Sequence, residues 1–175
     1  MIFISGIHGV GKSYFCNKVK LLLNVDTYSS SKLIAERKKE GFPSNKFVSN
    51  IDDNQRHLLD AVDSLNAVSS EYLLDGHFCL LNDKKQICRI NQEIFKLLNP
   101  RAIILLTESP NIIAARRMER DSIQQDLESI KDFQNAEILY AKKISEWLNR
   151  SLYISNGSDD IENTLDFIQR NIWGI

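Results

Sequence analysis

Residues 6–13 read Gly-Ile-His-Gly-Val-Gly-Lys-Ser, which sets a lysine and a hydroxyl directly behind a run of glycines. That spacing suits the holding of phosphate. Glycines let the backbone turn tightly and bring successive N–H groups to bear on phosphate oxygens. A helix expected to begin near Lys12 adds the positive end of its dipole. The stretch fits the Walker A pattern Gly-x-x-x-x-Gly-Lys-[Ser/Thr] at every required position. The expected nucleotide-binding set is Gly6, His8, Gly9, Val10, Gly11, Lys12, Ser13 and Tyr14. In it Lys12 reaches the β- and γ-phosphates and the Ser13 hydroxyl sits on Mg²⁺. His8 reads as a solvated loop residue rather than a catalyst.

A second carboxylate and a basic segment complete the candidate chemistry. Tyr72-Leu73-Leu74-Asp75 reads as a strand ending on an acid, the arrangement of a Walker B aspartate, which orients Mg²⁺ largely through water. An ordinary surface Asp closing a strand is the competing reading. Arg116 and Arg120 lie four apart, so on a helix they project from one face. Guanidinium groups match a migrating phosphoryl group by paired hydrogen bonds. The same residues also suit a solvated helix end, where the dipole favours cations. His77 follows Asp75 by two and faces the same side on a continuing strand, which suits either contact with an acceptor or a structural role.

These residues need a scaffold that brings them to one rim. Residues 2–5 form a short apolar run stopped by Gly6, consistent with a buried parallel strand. Helical periodicity covers 13–23, and 25–28 suits a second strand. Ser30 or Ser31 can cap a helix through Lys39 that Gly41 and Pro43 stop. Residues 51–69 read as a helix with Leu58, Leu59, Val62 and Leu65 on one face. Further helices are expected at 86–98, 110–118, 123–149 and 160–172, with strands at 72–75, 102–107 and 152–155. Strands alternating with helices imply right-handed crossovers and a parallel sheet covered on both faces. The expected fold is a three-layer α/β/α P-loop NTPase domain with a five-stranded parallel sheet, one domain over residues 1–175. Ligands bind at the carboxyl ends of such strands, so Gly6, Asp75, Glu108 and Ser155 should share one rim.

Composition narrows the partners. With 22 basic and 23 acidic side chains the net charge is −1, which gives no long-range attraction for a polyanion. A nucleic-acid partner is therefore not expected. Cys16, Cys79 and Cys88 are odd in number and lack CxxC spacing, which fits a reducing cytoplasmic setting rather than a disulfide framework or zinc site. No apolar run approaches membrane-spanning length, so no membrane partner is expected. The oligomeric state is left between monomer and homodimer.

In the order Walker A, Asp75, Arg116 and Arg120, the chain resembles the P-loop nucleoside monophosphate kinases. It looks most like the archaeal-type adenylate kinases and related small ATP-binding kinases with a short lid. Residues 6–13, 28–41, 52–59, Asp75-Gly76-His77, Leu98-Asn99-Pro100 and 116–121 carry the resemblance. It implies Mg²⁺-dependent transfer of the γ-phosphoryl of ATP to a small-molecule phosphate acceptor. Lys12, Asp75 and Arg120 are then the catalytic residues. Arg116 would lie against adenine, and Arg120 in a lid of about 116–125 would close on the phosphates. A helical lobe of about 29–70 would hold the acceptor, with Ser31, Gln55 and His77 touching it. Two acceptor-holding arginines of the bacterial nucleotide kinases have no counterpart: their places read Leu33 or Ile34 and Phe78 or Cys79. Lys32, Arg37, Lys46 and Lys84 are the substitutes in reach. The acceptor is thus open among a nucleoside monophosphate, another phosphorylated metabolite and an uncharged alcohol. The alternative class is a nucleotide-dependent switch or accessory ATPase that hydrolyses ATP slowly and acts through a protein partner.

Overall fold

A computed structural model describes residues 1–38, 51–69, 71–122 and 126–174. Its centre is a five-stranded parallel sheet. The strands are β1 (Ile2–Ser5), β2 (Asp26–Ser29), β3 (Tyr72–Asp75), β6 (Ala102–Thr107) and β7 (Ser151–Asn156), in the order β2-β3-β1-β6-β7. Of the three inner strands, β1 and β6 are buried along their whole length. Burial on both faces explains why they read as unbroken apolar runs rather than as alternating patterns. Each fully buried Ile or Leu of this core contributes about 1.5–3 kcal/mol by leaving water.

Helices flank the sheet: α1 (Lys12–Leu23), α2 (Ser30–Lys38), α3 (Ile51–Asn66), α4 (Gln92–Leu98), α5 (Pro110–Asp121), α6 (Leu127–Leu148) and α7 (Ile161–Trp173). Their ends carry recognisable stop chemistry. Asn24, Asn99, Ser122 and Asn149 all adopt left-handed conformations just past a helix, each returning its N–H to a carbonyl of the last turn. Asp126 caps α6 by accepting from the Ser129 N–H at 2.9 Å. The expected start at 123 falls outside the described residues, as do the expected stop at Gly41 and Pro43 and the substitute cation Lys46.

One element differs from expectation. The helix expected over 86–98 begins only at Gln92. Before it, β4 (Cys79–Leu81) and β5 (Ile87–Arg89) form an antiparallel hairpin apart from the main sheet. The turn is built by Asn82, whose side-chain oxygen accepts from the N–H groups of Lys84 and Gln86 at 3.0 and 2.9 Å, with Lys85 at a positive φ of 59°. Asn91 then caps α4 by accepting from the Glu93 N–H. Side chains that bond nearby backbone in this way compete with helix, and three-residue strands are too short to announce themselves by alternation.

Register places the chemistry. Ile4 of β1 pairs with Asp75 of β3, and Ser29 of β2 also pairs with Asp75. The carboxyl ends of β1, β2 and β3 therefore meet where the Walker A loop departs. The Gly76 N–H continues the ladder by donating to the Ile4 carbonyl at 2.8 Å.

Candidate functional site

The Walker A loop leaves β1 with Gly6, Gly9 and Gly11 at φ values of 148°, 85° and 106°. At Gly6 and Gly9 the backbone also comes too close for a side chain. A Cβ at Gly6 would lie 2.7 Å from the Leu106 carbonyl oxygen, and one at Gly9 would lie 2.9 Å from Arg117 Cγ. The loop carbonyls have donors of their own. Lys12 Nζ donates to Gly6 O at 2.5 Å, Arg117 Nε to His8 O at 2.8 Å and Arg116 Nη1 to Val10 O at 2.9 Å. In a trans peptide the next residue's N–H points opposite to the carbonyl, and no cis bond occurs among the described residues. The amides of Ile7, Gly9 and Gly11 therefore point away from the three cations, as an anion cradle requires.

Lys12 is buried at 8% exposure at the first turn of α1, with Nζ 3.9 Å from Asp75 Oδ1. Burial lowers the Lys12 ammonium below its usual value, an effect that Asp75 opposes. Burial likewise raises Asp75, with Lys12 opposing. Both shifts carry the sign of desolvation, so at 3.9 Å the pair does not repay the water it loses. A phosphate would supply what Lys12 lacks. Ser13 is exposed beside it, and a hydroxyl with a carboxylate forms an all-oxygen donor pair that suits a hard cation such as Mg²⁺. Tyr14 is 60% exposed on α1.

The arginines divide differently from the expected Arg116 and Arg120 pair. Arg116 reaches the loop and also meets Glu108 at 3.4 Å. Arg117, which the sequence reading passed over, braces the loop while buried at 6% exposure. Arg120 instead directs its fork at its neighbour Asp121. The signal for Arg117 was its place four residues after the buried Ile113, on the inner face of α5.

Of the expected acceptor residues, Ser31 is exposed at the start of α2, its Oγ 3.0 Å from Ser29 Oγ. Ser30 is buried beside the turn that follows β3, with its Oγ 3.1 Å from where a Cβ would stand on Gly76. His77 packs its ring against that of His8 with centroids 4.4 Å apart, so His8 is a partner of His77 and not merely a solvated loop residue. Gln55 is buried in α3 at 5% exposure. Among the expected rim residues, Glu108 lies against Gly157, whereas the Ser155 hydroxyl is engaged by Thr164 at 2.7 Å. A cavity of about 350 Å³ lined by Met1, Asn66, Asn99, Arg101 and Arg150 lies at the amino ends of β1, β6 and β7, away from this chemistry.

A second missed residue is Glu137 of α6, which accepts hydrogen bonds from the Ser5 hydroxyl and from the Phe78 and Cys79 N–H groups. It is an acid in the middle of the buried stripe Ile130, Phe133, Tyr140 and Ile144, and that break in pattern was visible in the sequence.

The AAA domain family model matches residues 5–134, most of the chain. The chain belongs to the AAA domain family. No curated protein matches this AAA domain chain. Among solved structures it is similar to a shikimate kinase from Bacteroides thetaiotaomicron, with a TM-score of 0.54 and 15% identity over 97% of this chain and 96% of that one. A gluconokinase from Sinorhizobium meliloti 1021 gives 0.56 and 14% over 99% and 93%. A shikimate kinase from Acinetobacter baumannii in complex with shikimate gives 0.59 and 11% over 99% and 92%. At these identities the likeness is one of fold, the P-loop α/β arrangement. It does not single out the archaeal adenylate-kinase type. Among the described residues no helix is long and apolar enough to cross a membrane.

Proposed function

We propose that this AAA domain protein is an ATP- and Mg²⁺-dependent phosphotransferase acting on a small acceptor. The observation that carries the reading is Lys12, buried in a glycine loop whose carbonyls are tied back by arginines, 3.9 Å from the strand-ending Asp75. In this reading residues 6–14 and Arg116 hold ATP, and Ser13 and Asp75 hold Mg²⁺, which neutralises charge on the phosphates. Lys12 stabilises the charge that spreads over the migrating group. Arg120 acts as a lid residue of the 116–125 segment by exchanging Asp121 for phosphate oxygens. The lobe of about 29–70 holds the acceptor.

Among the described residues of that lobe, the chemistry favours an acceptor hydroxyl over a nucleoside monophosphate. Arg37 donates to the Asp60 carbonyl and the Ser64 hydroxyl, and Lys38 pairs with Asp53 at 2.9 Å. Those two cations tie α2 to α3. Beside Asp75 stand hydroxyls instead, Ser29, Ser30 and Ser31, with the His77 imidazole. An attacking alcohol would pass its proton to the transferred phosphoryl group or to solvent, which leaves Asp75 ionised to hold Mg²⁺. The kinase names of the similar structures support transfer to small acceptors in the same way.

The test is ADP formation from Mg·ATP with nucleoside monophosphates, with polyols and hydroxy acids, and with buffer alone. Stimulation by a hydroxyl compound supports the reading, and stimulation by a monophosphate returns it to the adenylate-kinase type. Slow turnover indifferent to every acceptor sinks it in favour of a switch or accessory ATPase.

A further inference from the structure

Among the described residues, Glu137 is the most deeply buried carboxylate that the proposed chemistry leaves unused. It is 1% exposed, and its Oε1 accepts from the Ser5 hydroxyl and, at 2.9 Å, from the Phe78 N–H. Its Oε2 accepts from the Cys79 N–H at 2.6 Å. The donors come from two segments. Ser5 is the last residue of β1, immediately before Gly6 of the phosphate loop. Phe78 and Cys79 lie directly after Asp75-Gly76-His77. One carboxylate on α6 therefore ties the origin of the Walker A loop to the turn that carries the candidate Mg²⁺ ligand and the His77 ring.

Energetics make this an odd choice for packing alone. A buried carboxylate loses hydration, and an apolar side chain on the same stripe would avoid the loss. Three donors from two segments converging on the two oxygens of one carboxyl group give a stiff joint. The same helix also carries a neutral bond to this hairpin, from the Tyr140 hydroxyl to Ile90 O at 2.6 Å. That bond holds the outgoing strand of the hairpin, where the Ile90 N–H donates to the Phe78 carbonyl at 2.9 Å, and involves no residue of the phosphate site.

We propose that Glu137 is a positioning residue that fixes the Asp75–His77 turn against the phosphate loop, and so sets both the Mg²⁺ requirement and the turnover rate. The proposal rests on the phosphotransferase reading. All three partners donate, so a Gln at this place turns its amide nitrogen toward a donor in either orientation. The turn then shifts relative to Lys12, and misplacements near 1 Å cost on the order of 100-fold in rate.

The experiment compares Glu137→Gln with Tyr140→Phe. For each variant one titrates a fluorescent ATP analogue with and without Mg²⁺, follows ADP formation as a function of Mg²⁺, and records thermal melting. Tyr140→Phe is expected to melt lower with kcat within about twofold of wild type and unchanged Mg²⁺ dependence. Glu137→Gln is expected to lose at least 10-fold in kcat and to need several-fold more Mg²⁺ for half-saturation, while binding the analogue without Mg²⁺ like wild type. Equal Mg²⁺ dependence in the two variants overturns the proposal. Should Glu137→Gln fail to fold, Ser5→Ala removes one of the three donors and should move Mg²⁺ half-saturation in the same direction by a smaller factor. No movement there overturns the proposal as well. Wild-type protein that binds no nucleotide at all would instead overturn the phosphotransferase reading, so the two failures are distinguishable.

Discussion

Replacing Arg117 with methionine isolates the brace under the phosphate loop. The methionine thioether keeps the aliphatic stem that packs on Gly9, where Arg117 Cγ already occupies the space a Cβ would need. What is lost is the guanidinium donation to His8 O at 2.8 Å, from a side chain only 6% exposed. A hydrogen bond from a charged donor contributes about 1.5–3 kcal/mol net. With that support gone, the loop is free to turn the His8 carbonyl and the Gly9 amide away from the cradle geometry. At about 1.4 kcal/mol per decade the loss converts to roughly 10- to 150-fold weaker nucleotide binding. The factor is the fall in the fraction of loops in the cradle form, so it approaches these values when Arg117 is what holds the balance on the cradle side. Lys12 and Asp75 are untouched, so kcat at saturating nucleotide should stay within a few-fold of wild type. Titration with a fluorescent ATP analogue gives the affinity, and steady-state ADP formation gives kcat. Binding by Arg117→Met within twofold of wild type would refute the argument that carbonyl bracing shapes the cradle. A collapse of kcat with unchanged affinity would refute it too, by giving Arg117 a role at the reacting atoms.

Three further outcomes follow from the same geometry. Lys12→Ala should reduce ADP formation by at least about 10²–10³-fold, the usual effect of removing one electrostatic donor to a developing charge, and full activity in that variant would end the phosphotransferase assignment. Gly9→Ala places a Cβ 2.9 Å from Arg117 Cγ on a residue at φ 85°; strain of about 1–3 kcal/mol should lower the melting temperature by about 2–12 °C, and an unchanged melting curve would contradict the close approach. Burial raises Glu137 above its usual 4.5, so its contribution to stability is complete below the unfolded-chain value and is lost as pH rises through the folded value. Lys12, lowered by burial, works oppositely, its contribution being lost as pH falls through its folded value. Comparing wild type with Glu137→Gln isolates the first effect, and the wild-type advantage in melting temperature should be largest in acid and shrink as pH rises; an advantage that grows with pH contradicts the sign.

The order of strands and helices was legible because β1 and β6 are apolar throughout and each ends in a strong punctuator, Gly6 after one and Glu108-Ser109-Pro110 after the other. The Walker A loop was legible because the chemistry of a phosphate cradle leaves little choice of residue type. The β4–β5 hairpin was not, since its pairing depends on Asn82 bonding to local backbone rather than on any periodic pattern. Arg117 and Glu137 were hidden for a different reason. Arginine and glutamate read as surface residues by default, and in both cases only the apolar residues three and four positions away mark the inner face. The partners that satisfy them, His8 O, Ser5 Oγ and two backbone amides, lie 58 to 132 positions away in sequence. No local pattern encodes a partner at that distance.

The division of labour at the loop follows from accounting for each peptide group. A buried carbonyl must find a donor, and a peptide cannot aim both its N–H and its C=O at one anion. A loop that aims amides at phosphate must therefore present carbonyls to the protein. Here Gly6 O meets Lys12, Ile7 O the Val10 amide, His8 O Arg117, Val10 O Arg116 and Gly11 O the Phe15 amide. Two of these donors are arginines from α5, the helix that follows β6, a neighbour of β1 in the sheet. Their positive charge does more than satisfy carbonyls, since it also deepens the favourable potential for a polyanion at the cradle. Lys12 differs from the other four donors in what it faces. It is held by one carbonyl and lies 3.9 Å from a carboxylate that does not offset its desolvation, so a phosphate would improve its setting. The loop is thus prepared by donors fixed on its carbonyls, and Lys12 is the cation whose charge the proposed reaction needs.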